Sequence, residues 1–130
     1  RHEFAEDDKI GGGHAVNGSC DLATRSGRGS LGQMSFEEFQ TAVAAGRFPA
    51  GLDAALQALW HDARGDWAQA HGCVQAEASA DAAWVHAYLH RKEGDAGNAA
   101  YWYGRAGQPV ATATLDEEWA ELARALLARP

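Results

Sequence analysis

Ala83-Trp-Val-His-Ala-Tyr-Leu-His-Arg-Lys-Glu-Gly-Asp-Ala-Gly-Asn-Ala-Ala-Tyr-Trp-Tyr-Gly-Arg-Ala-Gly107 decides the fold class. It reads as a helix up to Glu93, a tight Gly94-Asp95 turn, and a second helix from Ala96 to Ala106. Glycine takes the left-handed conformation that ends the first helix, and aspartate caps the next. Trp84, Val85, Tyr88 and Leu89 are the buried candidates of the first helix. Tyr101, Trp102 and Tyr103 are consecutive, and at 100° per residue they cannot share one face. At least one of them therefore looks away from the hairpin.

The same punctuation occurs upstream at Gly65-Asp66, an offset of 29 residues. Under that offset Leu56 matches Val85, Leu59 matches Tyr88, Trp60 matches Leu89 and His61 matches His90. Ala70 then matches Ala99, and Val74 matches Tyr103. The spacing predicts helices from about Leu52 or Asp53 to Arg64 and from Trp67 to about Ala78. Two related helix–turn–helix units follow, which bury their cores against neighbours and need capping helices at their ends.

Candidate caps flank the pair. Ser35 with Glu38, and Thr114 with Glu117, are capping boxes that open helices at each end of the array. Phe36, Phe39 and Val43 give the first helix one apolar face, and Gly46 and Pro49 end it. Leu115, Trp119, Leu122 and Leu126 give the last helix its stripe. No stretch alternates apolar and polar residues as a strand does. The expectation is an all-α domain of about six short helices over residues 34–130.

Residues 1–33 differ in kind. They hold seven of the fifteen glycines and few apolar residues at regular spacing. Such a segment buries too little to offset the entropy of ordering it, so it reads as a disordered tail. Met34, the only methionine, immediately precedes the first capping box. That order suggests Met34 as the natural start, with residues 1–33 as vector-derived or upstream-translated sequence.

The 130-residue chain has a net charge of −7, and from Met34 onward seven basic residues are scattered among thirteen acidic ones. Neutralising a phosphate backbone needs a basic face, so nucleic acid is not an expected partner. No apolar run is long enough to span a bilayer, and no secretory leader is evident. Cys20 and Cys73 are too few for a disulfide framework, and Cys73 reads as a small buried hydrophobe. A reducing, cytoplasmic setting is the expectation.

Nucleophile elbows and phosphate loops are lacking. His86 and His90 are i, i+4 with Glu93 three residues on, a spacing that places all three on one helix face and lets two imidazoles share a metal. The zinc-protease helix would need glutamate directly after the first histidine, where Ala87 stands. His61 is the candidate third ligand, through its repeat relationship to His90. His71 carries no signal by itself. On the bland reading these are polar-face histidines, and no cofactor is expected.

Early Trp84, the Gly94 turn, Ala99 and Ala100, aromatic Tyr103, Ala106 and Pro109 together resemble a tetratricopeptide-type unit. Residues 59–71 and 84–95 are also similar to a group of small bacterial proteins built of such hairpins. The resemblance implies a binding scaffold that takes a protein or peptide on the surface made by its first helices. The candidate groove comprises Gln57, His61, Arg64, His86, His90 and Glu93, bordered by Tyr101 and Trp102. The expected function is a protein- or peptide-interaction module, with self-association as a further possibility. The alternative is a small metal- or ligand-binding enzyme using His61, His86 and His90.

Overall fold

The computed structural model describes residues 34–129. Among them the fold is all-helical: α1 (Phe36–Ala45), α2 (Ala54–Ala63), α3 (Trp67–Gln75), α4 (Ala80–Glu93), α5 (Ala96–Ala106) and α6 (Leu115–Leu127). The expected tail at residues 1–33 lies outside the described residues. No described helix is long and apolar enough to cross a membrane.

Both capping boxes form. Ser35 Oγ accepts from the Glu38 amide at 3.0 Å while Glu38 bonds back to the Ser35 amide at 2.9 Å. Thr114 and Glu117 repeat the arrangement at 3.1 Å in each direction. Helix α3 stops at Gln75, three residues earlier than its stripe suggests. Ser79 caps α4 through the Ala82 amide, so the chain must leave helical geometry before that point to reverse direction.

The two Gly-Asp turns have the same construction. Gly65 and Gly94 adopt φ of +85° and +92°. Asp66 and Asp95 then donate their amides to His61 and His90 carbonyls at 2.9 and 2.8 Å. Their carboxylates cap α3 and α5 through the Gln69 and Asn98 amides, each at 3.1 Å. In this way α2 packs on α3, and α4 packs on α5.

Helix α4 is the axis of the molecule, contacting α2, α3, α5 and α6. Its nine residues from Ala82 to His90 are all buried, so it has no solvent face through that span. Trp84, Tyr88 and Tyr103 lie in the core as the sequence suggests. Cys73 is buried too, but it is disulfide-bonded rather than a free thiol.

Burial of this many helix faces carries polar groups inside, and two carboxylates organise them. Asp62 accepts from the Tyr88 hydroxyl at 3.0 Å and from Lys92 Nζ at 2.8 Å. Glu118 accepts from Arg91 at 2.7 Å and from the Tyr103 hydroxyl. At the other end Trp119 stacks on Phe39 and donates its indole N–H to the Leu59 carbonyl at 3.1 Å, joining α6 to α1 and α2.

Candidate metal centre

Helices α3 and α4 bring three histidines together in the interior. His71, His86 and His90 are each 0% exposed. One ring nitrogen from each lies within 4.8 Å of the others. Their placement follows from the packing: His86 and His90 are one turn apart on α4, on the side that α3 and α5 cover. Trp67 anchors α3 there by donating its indole N–H to the Leu89 carbonyl at 2.8 Å. One turn further along α3, His71 meets the α4 pair.

The ring geometry is specific. His71 and His86 approach through their Nε2 atoms at 3.1 Å, with planes 81° apart. His86 and His90 lie closer to parallel, centroids 5.0 Å apart. His90 Nδ1 is bonded to Glu93 Oε2 at 2.7 Å. That bond leaves Nε2 as the ligand atom His90 would offer to the trio. Two indoles enclose the group: Trp67 lies flat on His71 at 4.9 Å and 9°, and Trp102 lies flat on His86 at 4.0 Å and 15°.

A second set shares His90. Its ring, the Glu93 carboxylate and the Asp95 carboxylate also present ligand atoms within 4.8 Å of one another. Glu93 keeps 28% of its side chain exposed.

The structure divides the expected groove. His86, His90, Glu93 and Trp102 come together, while Gln57 is buried elsewhere and donates to the Leu52 carbonyl at 2.8 Å. His61 sits apart from the trio, its ring stacked on Phe48 and edge-on to Trp60. Burial lowers its pKa, and the nearby Asp66 opposes that effect. Arg64 donates to the Val43 carbonyl at the end of α1. Tyr101 is half-buried and receives a hydrogen bond from Arg105 at 2.9 Å. These residues do not make one open strip, because Gln57, His86 and His90 are inside.

His71 takes the place expected of His61. The repeat offset aligns His61 with His90, but the helix that packs on the histidine side of α4 is α3. A usable signal was present: Trp67 and His71 are i, i+4 on α3, as His86 and His90 are on α4. No family model, curated protein or solved structure matches the chain.

Proposed function

We propose that this protein is a small helical metal-binding protein that holds a transition-metal cation on His71, His86 and His90. The observation that carries this reading is the convergence of three fully buried imidazoles with ligand nitrogens within 4.8 Å. Imidazole nitrogen suits zinc, copper, nickel and iron rather than calcium or magnesium. Two nitrogens each about 2.0–2.1 Å from a tetrahedral ion lie about 3.3 Å apart. The His71–His86 separation of 3.1 Å is close to that value.

Outer-shell chemistry supports the same reading. A carboxylate on the far nitrogen of a ligating histidine fixes its tautomer and makes it a better donor. Glu93 stands in that position on His90. Its negative charge also offsets part of the cation's, which lowers the cost of burying an ion. With Trp67 and Trp102 laid against the ligands, the arrangement suits holding an ion more than presenting one to a substrate.

The test is equilibrium dialysis of the full chain, free of any affinity tag, against Zn²⁺, Ni²⁺ and Co²⁺ in turn. One ion per chain is expected, with a raised thermal midpoint. At 100 times the dissociation constant the ion adds about 2.7 kcal/mol to stability. Retention of none of these ions, with an unmoved midpoint, would overturn the proposal. Undiminished retention by a folded His71→Gln/His86→Gln variant would also overturn it, by placing the ion elsewhere.

A further inference from the structure

We infer that His90 Nδ1, Glu93 and Asp95 form an outer, transient cation site that captures the ion and feeds the buried trio. This inference rests on the metal-binding reading above. The three histidines are fully buried, so a cation must first be recruited by something that solvent reaches. Glu93 is such a group: part of its side chain is exposed while its carboxylate touches a trio ligand.

Local backbone geometry builds the set. Gly94, at φ +92°, ends α4 and lets the next residue cap α5, so the two carboxylates flank one turn. Asp95 is held in place by bonds from the Asn98 amide at 3.1 Å and its side-chain nitrogen at 2.8 Å. The adjacent cations serve other partners: Arg91 pairs with Glu118, and Lys92 pairs with Asp62. Among the described residues neither Glu93 nor Asp95 is in an ion pair with lysine or arginine. Glu93 meets only the imidazole of His90 among the described ion pairs, and a cation between the two carboxylates offsets their like charge.

The shared residue makes the set more than an acidic rim. His90 offers Nδ1 to the outer group, and Nε2 is the atom it would offer to the inner one. An ion held by Nδ1, Glu93 and Asp95 is therefore one imidazole away from its buried position. When the ion passes from Nδ1 to Nε2, the Nε2 proton is released to solvent and Nδ1 takes one up from it, so that Nδ1 again donates to the Glu93 carboxylate. The outer group governs how fast the site fills, and the trio governs how tightly it holds.

Stopped-flow mixing of Ni²⁺ with the full chain tests the division of labour, using tryptophan quenching as the signal because Trp67 and Trp102 lie on two ligands. Asp95→Asn keeps a competent helix cap and removes one charge. Glu93→Gln keeps an acceptor for His90 and removes the other. Loading by the double variant is expected to be about tenfold slower, in the range of electrostatically steered association, and to lose most of its salt dependence. Because the trio sets the affinity, Asp95→Asn should leave the dissociation constant at the wild-type value, with loading and release slowed by the same factor. An unchanged loading rate in the double variant, while the wild type retains its ion, would overturn the capture role and leave the trio standing. Failure of the wild type to retain any ion would overturn the trio, and the capture role with it.

Discussion

Trp102 lies flat on His86, with ring centroids 4.0 Å apart and planes 15° from parallel. The indole is only half-buried, so it forms the outer wall of a fully buried imidazole. Replacing it would uncover His86 and leave a gap beside α5. Trp102→Ala should cost about 2–3 kcal/mol, below the 3–5 kcal/mol of a fully buried tryptophan. Urea denaturation measures this, and a loss under about 0.5 kcal/mol, the size of an ordinary surface change, would show that the indole is not part of the wall.

Buried carboxylates should show an asymmetry between their partners. Glu118 is 2% exposed and joins Arg91 on α4 to Tyr103 on α5. Glu118→Ala strands the Tyr103 hydroxyl and removes the ion-pair partner of Arg91, which keeps the Ala113 carbonyl, so a loss of about 2–3 kcal/mol is expected. Glu118→Gln keeps an acceptor and should lose less. Lys92 is 38% exposed where it meets Asp62, and Tyr88 still serves that carboxylate when the lysine is gone. Lys92→Ala should therefore cost about 1 kcal/mol. Equal losses at Glu118 and Lys92 in chemical denaturation would contradict this ranking.

Helix boundaries were legible because they are local. Ser35, Thr114 and the two Gly-Asp turns act within five residues, and each does in the structure what its chemistry requires. The interior position of His86 and His90 was not legible. An i, i+4 pair of polar residues implies a solvent face only when the helix has one. Here α4 is covered on all sides through nine residues, and that depends on where α3, α5 and α6 pack. For the same reason the sequence pattern offers Gln57 to a groove, although its amide is turned inward to Leu52. His71 gives no signal by itself because its partners lie fifteen and nineteen residues away, on another helix.

Trp119 joins segments far apart in sequence, its indole N–H bonded to Leu59 and its ring stacked on Phe39. Trp119→Phe keeps an aromatic ring but leaves the buried Leu59 carbonyl without this donor, a loss of about 1 kcal/mol. Helix α1 relies on that contact more than the other helices do, since its main helix neighbour is α6. Amide exchange in Phe36–Ala45 should therefore quicken more in this variant than exchange in α4. Uniform acceleration across all helices would show that α1 has no separate dependence on the tryptophan.

Alkaline pH should unfold the protein through its buried phenols. Burial raises the Tyr88 pKa, and the Asp62 carboxylate adds to that rise by charge and hydrogen bonding. Burial raises the Tyr103 pKa as well, followed by its hydrogen bond to Glu118, with Arg91 opposing. Both folded-state values lie above the ordinary phenol value near 10, so the unfolded chain releases these protons first. Their contribution to stability is fully present below about pH 10 and is lost as pH climbs toward the folded-state values. His61 acts at the opposite end. Its lowered pKa means the unfolded chain binds a proton more readily, so its contribution falls away below about pH 6.5. Tyr88→Phe should unfold at higher pH than the wild type, although it loses the Asp62 hydrogen bond near neutrality. Ultraviolet titration at 295 nm should accordingly record the Tyr88 and Tyr103 phenols rising together at the unfolding transition followed by circular dichroism. Smooth titration of these two phenols near pH 10 in a folded chain would contradict the buried pairing of Tyr88 with Asp62 and of Tyr103 with Glu118.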